Sequence, residues 1–77
     1  MRLLVVDDDR ALREVLRRAL SLSGYEIRLA ETGSEALAEV SGSVPDAVVL
    51  DVGLPDIDGL EVCRLLRREG NRVPVLM

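Results

Sequence analysis

The stretch LLVVDDD, residues 3–9, consists of four consecutive apolar residues that stop at three aspartates. A run this short, β-branched at its end and bounded by polar residues, is typical of a strand that is buried on both faces. Residues 47–51, AVVLD, repeat the pattern, with Asp51 directly after the apolar run. Two such strands indicate a parallel sheet that is covered by helices.

The segments that separate and follow these strands carry apolar residues at helical spacing. This spacing predicts a first helix within residues 9–24, with Arg13 on a face away from the apolar stripe. A short second helix is capped by Thr32 or Ser34, and a third helix occupies residues 60–70. Helices therefore alternate with the two apolar strands.

Two further strands complete the alternation. Residues 25–29 alternate between apolar and charged, as in a half-buried strand near a sheet edge, and residues 73–77 begin a fourth strand. The order β-α-β-α-β-α-β predicts one α/β domain over residues 1–77, with right-handed crossovers. Because strands one and three are the most hydrophobic, we expect them to lie together at the centre, in the sheet order 2-1-3-4.

Composition excludes several classes of protein. The chain is 48% hydrophobic and 31% charged, which is neither the balance of a disordered segment nor that of a membrane protein. Tyr25 is the only aromatic residue and the net charge is -4, so we expect no direct nucleic acid contact by this segment. The apolar run at residues 3–6 is too short for a signal peptide, and we therefore expect a cytoplasmic protein without a membrane segment.

The aspartates that follow strands one and three define a candidate site. In open α/β sheets ligands bind beyond the carboxyl ends of the strands, where the strand order reverses, and here Asp7, Asp8 and Asp51 are expected to converge there. Two carboxylates ~4 Å apart repel by about 4 kcal/mol at an effective dielectric of ~20. A proton or a cation must offset this repulsion, and an all-oxygen cluster suits Mg²⁺. Asp51 could then act as a nucleophile toward a phosphoryl group.

A structural explanation of the same aspartates also exists. Asp7, Asp8 and Asp9 could cap the first helix and interact with its positive end, while Asp51 caps a turn. Both buried strands nevertheless end in aspartate, and neither aspartate has a lysine or histidine near it in the sequence. The joint pattern favours a functional pocket.

The segments LLVVDDD at 3–9, VLDVGLP at 49–55 and Asp58-Gly59 together resemble the receiver domain of bacterial response regulators, of the OmpR-like kind. The Gly24-Tyr25 turn and the TGSEAL segment at 32–37 are in the same register. The resemblance runs over all 77 residues and implies a flavodoxin-like (CheY-like) doubly wound parallel sheet, incomplete and truncated after the fourth strand, with three helices. The chain would be the N-terminal two-thirds of a receiver domain.

The resemblance also implies roles for individual residues. Asp51 would be the phosphoacceptor, forming an aspartyl-phosphate with a phosphoryl group from a sensor histidine kinase. Asp8 would bind Mg²⁺ directly, Asp7 would act beside it in part through water, and the main-chain carbonyl of Gly53 would be another ligand. The implied function is a two-component signalling module in a phosphorelay, which regulates transcription in its full-length form and is not an enzyme beyond weak autophosphorylation and autodephosphorylation.

The chain departs from the family pattern in several places. Position 53 more often holds a larger side chain, so Gly53 implies a wider pocket mouth and an altered autodephosphorylation rate. The chain contains no lysine, whereas the family uses one beside the bound phosphoryl group, and the family's Ser or Thr would fall beyond Met77. We also expect uncovered apolar surface on the sheet and first helix, with a bare edge on strand four, and hence a homodimer or higher self-association.

The sequence also allows three other interpretations to be considered, of which the first stays open. The chain could be a non-catalytic receiver-derived fragment that folds by self-association without phosphate chemistry. The motif DIDG at 56–59 resembles the acidic motif of haloacid-dehalogenase-like phosphatases, but the preceding strand ends five residues too early and Pro55 intervenes. An EF-hand interpretation of DIDG fails because the later ligands are wrongly spaced.

Overall fold

The chain alternates strictly between strand and helix, as the sequence predicts. A computed structural model describes all 77 residues. Its elements in chain order are β1 (Arg2–Val6), α1 (Arg10–Leu22), β2 (Glu26–Ala30), α2 (Gly33–Gly42), β3 (Ala47–Leu50), α3 (Gly59–Arg68) and β4 (Val75–Leu76). None of the three helices has the length and apolar character needed to cross a membrane.

The four strands form one parallel sheet in the order β2-β1-β3-β4. Val5 of β1 lies opposite Leu29 of β2 on one side and Val49 of β3 on the other. The predicted strand order is confirmed, and the two most apolar strands are the central ones. The strand order reverses between β1 and β3, which makes the carboxyl ends of these two strands the expected ligand edge.

The fourth strand is shorter than the sequence suggested. Residues 73–77 were expected to begin this strand, but only Val75–Leu76 form it, with the carbonyl of Pro74 accepting from the amide of Val48 in β3 at 2.9 Å. The amide of Val73 donates to Oδ1 of Asn71 at 2.9 Å, and its carbonyl accepts from Nη1 of Arg67 at 2.7 Å. Both backbone groups of Val73 are therefore already satisfied by side chains, and Pro74 has no N–H to contribute to a ladder.

Side chains cap the beginning of each helix. Asp9 accepts from the amide of Leu12 at 3.1 Å, Thr32 accepts from that of Glu35 at 3.1 Å, and Asp58 accepts from that of Glu61 at 2.9 Å. Of the two caps considered for α2, Thr32 is the one used. Turns at Gly24 and Gly70, with φ of 95° and 82°, follow α1 and α3, as expected of glycines just after a helix.

The main hydrophobic core lies between the sheet and helices α2 and α3. Val62 of α3 is fully buried and Leu66 is nearly so. The eleven residues of this core are Leu4, Val6, Ala30, Ala36, Val40, Val48, Leu50, Leu54, Val62, Leu66 and Val73. Because both α2 and α3 pack on the same face, the loops that enter them meet above the carboxyl ends of β1 and β3.

The other face of the sheet is covered only by α1, which packs over β1 and β2. Leu3 and Val5 are buried there, but no residue of α1 is itself buried. Val15 and Leu22 of α1 are 63% and 85% exposed, and Leu76 of β4 is 68% exposed. The prediction of uncovered apolar surface on the first helix and the sheet is confirmed.

Candidate functional site

Three carboxylates meet at the carboxyl ends of the two central strands. Asp7 and Asp8 follow β1, Asp51 follows β3, and one carboxylate oxygen of each lies within 4.8 Å of the others. The sheet ladder continues into this edge, because the amide of Asp51 donates to the carbonyl of Val6 at 2.9 Å. Asp7 and Asp51 are half-buried and Asp8 is exposed. The structure thus brings together the three aspartates that the sequence singled out.

The oxygens of this acidic pocket are mostly free of protein donors. One oxygen of Asp7, Oδ1, accepts from the amide of Asp9 at 2.8 Å, and Oδ1 of Asp51 accepts from the amide of Gly53 at 3.3 Å. No other hydrogen bond reaches the three carboxylates, and none of them forms a salt bridge. At least four carboxylate oxygens therefore remain available to a ligand.

The capping explanation holds for only part of this cluster. Asp9 is the side chain that caps α1, and Oδ1 of Asp7 accepts a hydrogen bond from the amide of Asp9. Asp8 caps nothing. Asp51 caps its own turn, because its Oδ1 accepts from the amide of Gly53 at 3.3 Å. Capping therefore accounts for Asp9 and for one oxygen each of Asp7 and Asp51, but it does not explain why Asp7, Asp8 and Asp51 converge.

Arg13 lies against this pocket, which the sequence did not suggest. Its Nη1 donates to the main-chain carbonyl of Asp7 at 2.7 Å, and Nη2 lies 3.5 Å from a carboxylate oxygen of Glu31. The Arg13 side chain is only 13% exposed. The sequence placed Arg13 on a face away from the apolar stripe and did not predict this contact, which forms because a long side chain in the first turns of α1 reaches back past the helix N-terminus. Arg13 thus joins the start of α1 to the main chain at the end of β1.

The loop at residues 51–59 connects the pocket to α3. The amide of Gly59 donates to the carbonyl of Val52 at 2.9 Å, and a Cβ on Gly59 would lie only 2.5 Å from the carbonyl oxygen of Asp51. The backbone of Asp51 is therefore in direct contact with the first residue of α3. Gly53 is exposed, and a Cβ there would meet no atom within 4 Å, so a larger side chain would fit at this position without a clash.

The DIDG motif has structural tasks away from the pocket. Both carboxylate oxygens of Asp56 bind the first turn of α2, while Asp58 caps α3. The Ser34 hydroxyl, together with the amides of Ser34 and Gly33, holds the pKa of Asp56 well below its usual range. These contacts explain the motif without a second acidic site, in agreement with its rejection as a phosphatase motif.

The chemistry of the donor set fits a magnesium ion. The side chains of the pocket offer carboxylate oxygens only, the pocket opens to solvent at Asp8, and the chain contains no histidine. Mg²⁺ favours oxygen ligands and usually keeps several waters, binding one or two carboxylates together with phosphate oxygens. A half-open cluster of three carboxylates meets these requirements better than it would those of zinc.

Comparison with known proteins gives a consistent assignment. The response regulator receiver domain family matches residues 3–77. Response regulator MprA of Mycobacterium leprae is 58% identical over 77 residues, which cover 100% of this chain and 34% of that protein. MprA of Mycobacterium avium matches with the same identity and coverage. The chain thus spans about a third of the length of the curated relatives it matches.

Solved structures share the fold closely. The N-terminal domain of a response regulator receiver protein from Methanoculleus marisnigri has a TM-score of 0.95 at 32% identity, covering 99% of this chain and 63% of that chain. TrrA of Thermotoga maritima, in complex with Mg²⁺-BeF, has a TM-score of 0.85 at 46% identity, over 88% of this chain and 59% of TrrA. TrrA in complex with the histidine kinase ThkA has a TM-score of 0.89 at 42% identity, over 96% of this chain and 64% of that chain.

Proposed function

Because this chain belongs to the response regulator receiver family, we propose that residues 1–77 form the N-terminal part of a phosphoacceptor domain. Asp51 accepts the phosphoryl group, and Mg²⁺ is held by Asp7, Asp8, Asp51 and the main-chain carbonyl of Gly53. One observation carries the proposal: oxygens of the three carboxylates lie within 4.8 Å of one another at the edge where the strand order reverses.

Asp51 has the features of a nucleophile. It is half-buried at the end of β3, and its Oδ2 has no protein donor, whereas Oδ1 accepts from Gly53. In the proposed transfer an Asp51 oxygen forms a bond to phosphorus while the bond between phosphorus and the donor breaks, and the donor leaves with the bonding electron pair. Mg²⁺, when bound, would neutralise charge on the carboxylates and on the incoming phosphoryl oxygens.

Arg13 places a positively charged side chain at this edge of the sheet. Its guanidinium is held against the main-chain carbonyl of Asp7 at 2.7 Å. A guanidinium in this place keeps the main chain of Asp7 in position. Arg13 acts on the backbone of the pocket, and we assign it no contact with the phosphoryl group.

A similar receiver supports a class of protein that donates the phosphoryl group. TrrA, a similar receiver, has been solved with the histidine kinase ThkA, and with Mg²⁺-BeF. We propose a sensor histidine kinase as the phosphoryl donor here, in the cytoplasm, with the module serving as phosphoacceptor and not as an enzyme. The MprA relatives are about three times longer than this chain. We propose that a full-length protein that contains this segment regulates transcription.

A second candidate is a receiver-derived fragment that folds by self-association and carries no phosphate chemistry. The exposure of Val15, Leu22 and Leu76 favours it, because these side chains would gain burial against a second copy. The two candidates predict different responses to Mg²⁺ and a phosphoryl mimic. The phosphoacceptor should bind both in a way that depends on Asp51, whereas the non-catalytic fragment should not respond.

Backbone amide NMR tests the proposal. Addition of Mg²⁺ and then beryllium fluoride should shift the amides of residues 7–8 and 51–53 in the unmodified chain. Asp51→Asn should abolish the beryllium fluoride response. Asp9→Asn is the matched control, since it removes one adjacent negative charge but keeps a good helix cap, and its response should be retained. A response that persists in Asp51→Asn, or is absent from the unmodified chain, would contradict the proposal.

A further inference from the structure

The first turn of α2 is capped from two different parts of the chain. The amides of Gly33 and Ser34 donate to Oδ1 and Oδ2 of Asp56 at 2.8 and 2.9 Å, and the Ser34 hydroxyl donates to Oδ2 at 2.7 Å. The amide of Glu35 donates to Thr32, which belongs to the helix entrance itself. A side chain 22 residues further along the chain than Ser34 thus supplies a large share of the capping of α2.

We propose that Asp56 is a positioning residue for the acidic pocket, whose carboxylate fastens the 51–59 loop to the first turn of α2 and thereby sets the Mg²⁺ affinity of the pocket. The inference rests on the proposed function, because it concerns the same loop that carries Asp51 and Gly53. It assigns Asp56 no contact with the metal or with a phosphoryl group.

Few other contacts hold this loop. Leu54 is buried at 8% exposure, and the amide of Gly59 donates to the carbonyl of Val52. Val52 and Gly53 are exposed, and Gly53 makes only a long hydrogen bond of 3.3 Å to Asp51. Without the Asp56 contacts, the exposed part of the loop would be attached to the body of the protein mainly through Leu54 and the half-buried Ile57.

The Asp56 contacts are stronger than those of an ordinary cap. Three donors converge on one carboxylate, all within 2.9 Å, and hydrogen bonds to an ionised acceptor are about twice as strong as neutral ones. The carboxylate also faces the positive end of the α2 dipole. The same donors keep the pKa of Asp56 low, so the group is ionised throughout the neutral pH range.

Thr32 provides a matched control within the same helix. Its hydroxyl oxygen caps α2 by accepting from the amide of Glu35 at 3.1 Å, and it makes no hydrogen bond to the 51–59 loop. Thr32→Ala should therefore weaken the start of α2 without releasing the loop. Asp56→Asn should weaken the start of α2 and also release the loop. An asparagine amide has one acceptor oxygen and one NH₂ donor, so it cannot accept from the amides of both Gly33 and Ser34. Ser34→Ala removes one of the three contacts, and its loss of Mg²⁺ affinity should lie between those of Thr32→Ala and Asp56→Asn.

The test measures Mg²⁺ affinity, with the metal alone, by amide NMR titration of the full 77-residue chain and its three variants. Replacing residues that support metal ligands typically weakens metal binding by about 10- to 100-fold, and since Asp56 acts through the loop we expect about tenfold for Asp56→Asn. Thr32→Ala should change the affinity by less than about twofold, because it leaves the loop attached. Equal affinities in Asp56→Asn and Thr32→Ala would overturn the inference.

A second measurement separates the inference from the proposed function. Amide hydrogen exchange at residues 52–57 needs no metal, and it should be faster in Asp56→Asn than in Thr32→Ala. If the unmodified chain does not bind Mg²⁺, the proposed function fails, while exchange still decides whether Asp56 positions the loop. Equal exchange in the two variants overturns that role. If Asp56→Asn does not fold, Ser34→Ala replaces it in the comparison with Thr32→Ala. The expected difference in exchange rate is then smaller, because only one of the three contacts is lost.

Discussion

Replacement of Gly59 by alanine directly perturbs the contact between α3 and the carboxyl end of β3. The added Cβ would lie 2.5 Å from the carbonyl oxygen of Asp51 and 2.9 Å from Cα of Val52. Ordinary van der Waals contact begins at 3.4 Å, so nearly 1 Å of movement is required. Both neighbouring atoms belong to the main chain, which means that no flexible side chain can turn aside to make room.

The expected free-energy change follows from two opposing effects. Overpacking against fixed atoms costs about 1–3 kcal/mol, and here the upper end applies because the contact is with backbone. Alanine in place of glycine at an unhindered helical position gains up to about 1 kcal/mol. We therefore expect Gly59→Ala to lower the free energy of unfolding by about 2 kcal/mol.

Gly42→Ala is the control for this experiment. Gly42 is the last residue of α2, and a Cβ there would meet no atom within 4 Å. Urea unfolding followed by helical circular dichroism should show a lower midpoint for Gly59→Ala and an unchanged or higher midpoint for Gly42→Ala. A Gly59→Ala midpoint equal to or above that of Gly42→Ala would refute the close approach of α3 to Asp51.

Three further predictions concern stability and association. The hydrogen bonds from Ser34 and Gly33 hold the folded-state pKa of Asp56 below the ordinary value of 3.8, so the stabilisation that Asp56 provides is present above that pH and is lost as the pH falls below it. Urea titrations from about pH 5 to about pH 3 should therefore show the stability difference between the unmodified chain and Asp56→Asn shrinking, and a constant difference would contradict this. Leu66→Ala should cost about 2–5 kcal/mol because Leu66 is 2% exposed, whereas Leu60→Ala, at a site 61% exposed, should cost under about 0.5 kcal/mol in the same urea assay. Sedimentation should show concentration-dependent self-association that Leu22→Glu and Leu76→Glu reduce; a sharp monomer boundary with cooperative melting would argue against it.

The sequence predicted the fold well because its signals are local and strong. Two apolar runs that each end in aspartate identify the central strands, and the sheet order follows from their hydrophobicity. Asp7 and Asp51 could be placed together from topology alone, since carboxyl ends of adjacent parallel strands share one edge. For the helix caps the sequence offered short sets of candidates, Asp7, Asp8 or Asp9 for α1 and Thr32 or Ser34 for α2, from which the structure selects Asp9 and Thr32.

What the sequence missed are contacts made by long or distant polar side chains. Nothing in the pattern around Arg13 distinguishes it from Arg17, yet one binds the carbonyl of Asp7 and the other pairs with Glu14 on the surface. The Asp56 contact joins residues more than 20 positions apart, and it depends on the relative placement of a loop and a helix. Such pairings are set by tertiary packing, for which hydrophobic periodicity carries no signal.

The most direct test of the central claim is Mg²⁺-dependent phosphoryl transfer to Asp51. The chain should be incubated with acetyl phosphate, a small phosphoryl donor, and weighed intact by mass spectrometry with and without Mg²⁺. We predict the addition of one hydroxylamine-sensitive phosphoryl group in the presence of Mg²⁺ and none in Asp51→Asn or after chelation of the metal. Absence of the adduct in the unmodified chain, or an adduct that survives Asp51→Asn, would contradict the assignment of this pocket as a phosphoacceptor site.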